Sequence, residues 1–269
     1  MLTLRAALPA PHLRDWVRHV QQRDAQIQQA TLVYPVAARS DVFLEFYLGD
    51  RYRVRALGAD TLEDAPAAVI VGPASRRTVD LVLQGHFKVF TIHFQPTALH
   101  HLFGLPMREL ADRAYDARTV LGPFARQMQE RLSEAATFEA RVSIVDSMLE
   151  RCTAERSSID PVSRLANRLL PAKGALRIDA AAAGLGLSVR QFERRFASQV
   201  GMTPRLYANV VRFQAALGAK RAQADRSWRD IAHAMGFHDQ MHMVRDFRRF
   251  AAVAPNRFVA QLTSMPERW

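Results

Sequence analysis

The sequence has few of the features that mark secreted, membrane-spanning or catalytic proteins. Its 269 residues include a single cysteine, Cys152, which excludes an internal disulfide and a zinc site built from several cysteines. No run of about 18 apolar residues occurs that could cross a membrane. Residues 1–5 are not followed by the apolar stretch of a signal peptide. These absences predict a cytoplasmic protein that does not bind membranes.

Sequence patterns for catalysis and metal binding are also missing. The chain contains no Gly-x-Ser-x-Gly elbow, no glycine-rich phosphate loop and no His-Glu-x-x-His helix. His86 and His93 are seven positions apart, which would put them on opposite faces of a continuous strand. No carboxylate lies between Asp80 and Glu109 to complete a metal site. The sequence therefore predicts no catalytic residues, no bound metal and no cofactor.

Positive charge is concentrated in the second part of the chain, where it accounts for the whole net charge of +11. Residues 156–269 contain 19 basic and 8 acidic side chains, whereas residues 1–155 contain 18 of each. Nearly all the basic residues are arginines, and the planar fork of arginine suits bidentate contacts with guanine or phosphate. We therefore expect residues 156–269 to bind a polyanion.

The same sequence pattern occurs twice within this basic region. At a shift of 51 positions, the matching pairs are Arg194 with Arg245, Phe196 with Phe247 and Pro204 with Pro255. Each copy reads as an alanine-rich helix, a glycine turn, a polar cap and a second amphipathic helix. The predicted caps are Ser188 and Asp239. Two helix-turn-helix units are therefore predicted, and the second helix of such a unit lies in the major groove of DNA.

The residues that link the two units carry a family resemblance. Thr203-Pro204 predicts the start of a helix over 205–217, which contains Tyr207 and an Arg-Phe pair at 212–213. With the motif Gly-Phe-His-Asp-Gln-Met-His at 236–242 and Arg-Asp-Phe at 245–247, this arrangement resembles the AraC family of bacterial transcription regulators. The resemblance covers about residues 160–262. It implies binding to double-stranded promoter DNA and activation beside RNA polymerase, although repression fits the residues equally well.

Helical spacing and the resemblance together indicate which side chains contact DNA. Phe192 and Phe196 are predicted to face inward, with Ala197 on the opposite, exposed face. The predicted base-reading residues are Arg190, Glu193, Arg194, Gln240, Met241, His242, Val244 and Arg245. The predicted phosphate contacts are Arg195, Arg205, Arg248 and Arg249. His242 could instead pack against the turn at Gly236. Ala252 stands where the family commonly has glycine, which puts the left-handed turn there in doubt.

The first part of the chain shows the pattern of short strands. The predicted strands are residues 42–48, 67–71, 79–83 and 87–94, with turns that include Gln84-Gly85. Even spacing of short strands indicates a small antiparallel barrel or sandwich. Helices are predicted near 98–103, 121–133 and 137–152. The last has an apolar stripe that includes Val145 and Leu149, which either the barrel or a second subunit must cover.

This part also resembles, more loosely, the sensor domains of AraC regulators. The resemblance rests on Ser40-Asp41, the turn at 49–52, Val71-Gly72-Pro73 and residues 93–96. It implies a cupin-like barrel that binds a small effector or mediates dimerisation, and it leaves the effector unidentified. The predicted effector-binding residues are Glu45, Tyr47 and His93. Glu45 would otherwise be the exposed member of an alternating strand.

The sequence thus predicts an α+β chain with two domains. Residues 1–155 are expected to form a cupin-like β-barrel or sandwich with a helical appendix, and residues 156–269 an all-α domain with two helix-turn-helix units. The predicted function is an effector-controlled transcription regulator, which could be a homodimer. The alternatives are a regulator whose first domain only dimerises, and a cupin-type metal enzyme joined to a DNA-binding module.

Overall fold

The computed structural model describes residues 2–154 and 159–263. Within them, the first part of the chain is a β-sheet with flanking helices and the second part is helical, which confirms the predicted α+β architecture. The predicted domain boundary between residues 155 and 156 lies outside the described residues.

The first part is built on one eight-stranded antiparallel sheet. Its strands are β1 Leu2–Ala7, β2 Val17–Pro35, β3 Val42–Tyr47, β4 Arg53–Ala56, β5 Glu63–Asp64, β6 Ala68–Val71, β7 Val79–Phe94 and β8 Ala114–Asp116. The order across the sheet is β1-β2-β7-β3-β6-β8, with β4 paired to β7 and β5 paired to β4. Side chains alternate along β3, so that Leu44 and Phe46 join the main core while Phe43 and Tyr47 face a second apolar cluster on the other side.

The predicted turn at Gln84-Gly85 is wrong, because β7 runs through it as a single strand. Gly85 has φ +71°, and an added Cβ would overlap the carboxylate of Asp50. That carboxylate accepts a hydrogen bond from the backbone N–H of His86 at 2.7 Å. Gly85 therefore allows the long strand β7 to bend at this position.

Five helices of the first part lie in chain order after β7. They are α1 Ala98–Phe103, α2 Met107–Leu110, α3 Ala117–Leu121, α4 Pro123–Glu134 and α5 Phe138–Thr153. The apolar stripe of α5 packs on the main core of its own chain, where Val145 and Leu149 are fully buried. The stripe is therefore not available to a second subunit, and the interpretation that it pairs two copies of the chain is wrong.

The second part consists of seven helices in the described residues. They are α6 Pro161–Leu169, α7 Ile178–Gly184, α8 Val189–Val200, α9 Pro204–Ala222, α10 Trp228–Ala234, α11 Gln240–Ala251 and α12 Pro255–Thr263. The long helix α9 supports both recognition helices through aromatic contacts: Tyr207 lies against Phe196 of α8, and Phe213 lies against Phe247 of α11. Both recognition helices therefore pack on the same long helix through aromatic pairs.

Helix α11 ends in a left-handed turn that the sequence put in doubt. Ala252 has φ +64° and ψ 0°, the geometry usually provided by glycine after a helix. The turn therefore forms with alanine, at a conformational cost of about 1 kcal/mol. Ala252 is exposed, so no packing compensates for that cost.

Candidate nucleic-acid interface and ligand cavity

The first helix-turn-helix unit pairs α7 with α8. Gly186 takes φ +65° in the turn, and Ser188 caps α8 in a reciprocal capping box with Gln191. Burial of Phe192 orients the helix so that Arg190 and Arg194 project into solvent, while Glu193 is half-buried. Ala197 is only 5% exposed, so the prediction that it lies on the open face is wrong. It lies instead among the side chains that pack α8 on the domain.

The second unit pairs α10 with α11 and repeats this geometry. Gly236 has φ +71°, and the Asp239 side chain accepts a hydrogen bond from the His242 N–H at 2.6 Å. Gln240 and Arg245 are exposed, Met241 is 62% exposed, and Val244 is half-buried.

His242 has contacts of its own within the protein. Its ring lies edge-on to Phe237 in the turn, with centroids 5.7 Å apart. Its Nε2 is 4.0 Å from the carboxylate of Asp246, one helical turn away. Burial raises the pKa of that carboxyl. The structure thus places His242 against the turn, with its edge still half-exposed on the surface of α11.

The exposed surface of both recognition helices is rich in arginine. Among the described residues, Arg190, Arg194 and Arg245 form no ion pair, so their charges are available to an external partner. The four arginines predicted to contact phosphate, Arg195, Arg205, Arg248 and Arg249, are also exposed. This surface can attract and orient a polyanion.

The first part of the chain encloses a cavity of about 750 Å³. Its wall is mainly apolar and includes Phe43, Val69, Leu83 and Phe87. This volume lies in the range of cavities that bind small organic molecules. The cavity lies on the side of the sheet away from the main core, between β3, β6 and the outer half of β7.

Glu45 faces this cavity rather than solvent and is only 4% exposed. Its carboxylate accepts hydrogen bonds from the hydroxyls of Tyr47 at 3.1 Å and Tyr52 at 3.2 Å, and from Arg23 at 3.3 Å. Burial, together with the charge of Glu45, raises the pKa of both tyrosines, which therefore stay neutral and donate. Glu45, Arg23 and Tyr52 line the cavity, whereas Tyr47 supports Glu45 from behind.

His93 also lines the cavity and stacks on His19, with ring centroids 4.3 Å apart. Burial lowers its pKa to about 3, which outweighs the attraction of Asp41, so the ring is neutral at physiological pH. Neither of its ring nitrogens has a hydrogen-bond partner, although both are buried. Such groups normally bind a partner, so His93 is a candidate ligand contact.

Residues 36–41, here called the connecting segment, touch both the cavity and the helical domain. Val36, Arg39 and Asp41 line the cavity. On the other side, the N–H of Ala38 donates to the carbonyl of Phe250 in α11 at 2.9 Å. The segment therefore joins the cavity wall directly to the end of the second recognition helix.

A side-chain network extends the same connection to α9. Gln214 Oε1 accepts hydrogen bonds from the Ser40 N–H at 2.9 Å and the Ser40 hydroxyl at 2.7 Å. Its Nε2 donates to Asp41 at 3.0 Å, and Asp41 in turn pairs with Arg18 of β2. No local sequence motif marks Arg39 or Gln214, so neither residue was predicted.

Within residues 2–154 and 159–263, no group of three or more histidine, cysteine, aspartate or glutamate side chains is placed to hold a metal ion. None of the helices in that part of the chain is both long and apolar enough to span a bilayer.

Comparison with known protein families gives two matches. Residues 181–261 match a helix-turn-helix domain, and residues 5–116 match a domain of unknown function (DUF6597). The first match covers both units and α9 between them. The second covers the sheet and the cavity.

Several curated proteins are similar to a segment of this chain. The HTH-type transcriptional activator RhaS of Pectobacterium carotovorum subsp. carotovorum is 37% identical over 83 residues, which is 30% of this chain and 29% of RhaS. The HTH-type transcriptional regulator MtrA of Neisseria gonorrhoeae is 32% identical over 81 residues, which is 30% of this chain and 27% of MtrA. The matched segment spans less than a third of each relative.

Among solved structures, ToxT from Vibrio cholerae resembles this chain with a TM-score of 0.48 and 10% identity, over 91% of this chain and 99% of ToxT. A similarity this low carries no conclusion about function or ligand. Residues 181–261, which contain most of the two capped, glycine-turned units, are therefore a helix-turn-helix domain, and the relatives RhaS and MtrA are likewise described as HTH-type regulators of transcription.

Proposed function

We propose that the protein is a sequence-specific regulator of transcription that binds double-stranded promoter DNA through both helix-turn-helix units. The observation that carries this proposal is the repeated placement of an exposed, unpaired arginine on each recognition helix, Arg194 on α8 and Arg245 on α11. The net positive charge of the helical region supports it, because a duplex is a dense polyanion. The proposal places the protein in the cytoplasm and assigns it no catalytic step.

Each recognition helix would read bases with the side chains beside its arginine. Arginine can donate two parallel hydrogen bonds to guanine, and Gln240 can bond adenine in the same way. Met241 cannot donate, so it would contact a thymine methyl group. Arg195 and Arg249, on other faces of their helices, would contact phosphates and fix the position of the protein without reading sequence.

We also propose that an effector in the cavity controls DNA binding. Glu45 and His93 would contact the effector, and the connecting segment would carry its effect to α9 and α11. The description of RhaS as a transcriptional activator supports activation beside RNA polymerase over repression. A ligand shifts the equilibrium between two conformations of a protein only to the extent that it binds one of them more tightly than the other.

Selection of binding sites from random duplex DNA, with the full chain, tests the proposal. We expect an enriched motif with two separated blocks about 10 base pairs apart, one for each unit. Affinity for that motif should fall roughly a thousandfold or more between 50 and 200 mM salt if about six phosphates are neutralised. Two copies of the motif would indicate a homodimer. Failure to enrich any sequence over a scrambled duplex would refute the proposal.

A further inference from the structure

We propose that the cavity binds an organic monoanion with a mainly apolar body, and that the guanidinium of Arg39 binds its charged group. This inference rests on the proposed function, because it names the chemical class of the effector.

Arg39 is held in place by its backbone, whereas its guanidinium has no acidic partner among the described residues. Its N–H and C=O pair with Ala74 in both directions at 2.8 Å. The guanidinium carbon lies 5.1 Å from the ring centre of Phe43, which lines the cavity. Among the described residues it forms no ion pair, and its Nε is buried without an acceptor. A partly buried guanidinium that no acidic side chain neutralises attracts an anionic ligand.

The buried acidic groups of the cavity wall are already bound by other residues. Glu45 accepts hydrogen bonds from Arg23 and two tyrosines, and Asp41 is bound by Arg18 and Gln214. The remaining acidic residues at the cavity, which lie near its rim, are Glu63, Asp64, Asp112 and Asp116. Glu63 and Asp64 are exposed and therefore remain hydrated. The inner cavity thus keeps one uncompensated positive charge, at Arg39.

His93 supplies a second, uncharged contact close to the first. Its ring centre lies 5.4 Å from that of Phe43, the same ring that Arg39 covers. The neutral imidazole can donate one hydrogen bond to an anion without adding positive charge. One cation and one neutral donor match a carboxylate better than a doubly charged phosphate ester.

The rest of the cavity selects for an apolar body. Val69, Val71, Leu81, Leu83 and Phe87 line it, and its volume of about 750 Å³ far exceeds what an inorganic anion would fill. Water alone would leave this apolar surface unfavourably hydrated. An alkyl or aryl carboxylate satisfies both the charge at Arg39 and the apolar wall.

The test uses the full chain and two matched sets of probes in isothermal titration calorimetry. One set is octanoate, octan-1-ol and octylammonium, and the other is 4-phenylbutyrate, 4-phenylbutan-1-ol and 4-phenylbutylammonium. We expect at least one carboxylate to bind about tenfold or more tightly than its alcohol and its amine, because only the carboxylate can pair with Arg39. This comparison needs no variant of the protein.

Variants then assign the preference to one residue. Arg39→Gln should remove the preference for carboxylate, with the alcohol affected little, and Arg39→Lys should retain part of it because the charge is kept. Arg76→Gln is the matched control, since Arg76 is an exposed arginine at the cavity rim, and it should leave the preference unchanged. If Arg39→Gln does not fold, Arg39→Lys and the comparison of wild-type probes still decide.

Several results would overturn the inference. They are no binding of either carboxylate, equal or tighter binding of the alcohol or amine, and an equal loss in Arg76→Gln. Binding of the same samples to the selected DNA motif is measured in parallel. Intact DNA binding without a carboxylate preference rejects the ligand class alone, whereas absence of specific DNA binding rejects the proposed function.

Discussion

Arginine-to-alanine substitutions in the two recognition helices give the sharpest test of paired sequence reading. Arg194 and Arg245 are exposed and form no ion pair with other described residues, so Arg194→Ala and Arg245→Ala should not change the free energy of unfolding appreciably. In the proposed complex with DNA, each substitution removes one bidentate contact with a base. The expected loss is about 1–3 kcal/mol of DNA-binding free energy for each, or roughly 5- to 150-fold in affinity.

The two losses should add in the double variant. The arginines lie in separate units, Arg194 on α8 and Arg245 on α11, and α9 lies between those units in the chain. Energies of distant, independent sites usually add within about 0.5 kcal/mol. The double variant should therefore lose about 2–6 kcal/mol. A clearly smaller loss of binding free energy in the double variant would mean that only one unit binds the DNA at a time.

The assay is binding of each variant to a library of single-base substitutions in the selected motif. Arg194→Ala should relax the preference at one block of the motif and Arg245→Ala at the other. Arg249→Ala is the control: Arg249 lies over the ring of Phe250, with 5.2 Å from its guanidinium carbon to the ring centre, and is predicted to contact phosphate. It should weaken all sequences alike and reduce the salt slope by about one. Unchanged base preferences in Arg245→Ala would show that the second unit only binds the backbone.

Three further substitutions probe the fold and the coupling between domains. Ala252→Gly should raise the free energy of unfolding by about 0.5–1 kcal/mol in urea titrations, because glycine relieves the left-handed strain; a decrease would contradict this. Gln214→Ala should fold and bind DNA, but a carboxylate that binds the wild type should no longer change its DNA affinity; a retained response would place the coupling elsewhere. Partial burial raises the pKa of Asp160, but hydrogen bonds from His101 and Ser163 outweigh it and hold that pKa below its ordinary value. The stability that this carboxylate contributes is therefore present above about pH 4 and lost as pH falls further. Asp160→Asn should have a lower free energy of unfolding than the wild type at pH 7, and this difference should narrow at pH 3.

The helical domain could be predicted from sequence because its signals are local. Ser188, Asp239 and Thr203 each cap a helix within three residues of the N–H that they bind, and the structure confirms all three. Gly186 and Gly236 set the turns through their own backbone conformation. The helix caps and the glycine turns each depend on a short stretch of chain, so a sequence pattern shows them directly.

The sheet was predicted only in part, because distant partners decide it. Strand β2 has a largely polar sequence over 17–35 and was not predicted, although it is the longest strand. It is a strand because β7 pairs with it along most of its length, and such pairing depends on context more than on intrinsic propensity. Once β2 is in place, alternation puts Arg23 beside Glu45, a contact between residues 22 positions apart.

The position of Arg39, and the link between the cavity and the helical domain at this point, depend on residues that are still more distant in the sequence. Its backbone pairs with Ala74, the preceding residue bonds Phe250 of α11, and the following residue bonds Gln214 of α9. Because these bonds alternate between the two sides of one short segment, a shift of the backbone at Arg39 would alter bonds to the helical domain. An anion that moves this backbone when it pairs with the guanidinium would therefore change how α9 or α11 is held. The sequence could not reveal this, since the residues joined to the segment lie 35 to more than 200 positions along the chain and only the folded sheet brings them together.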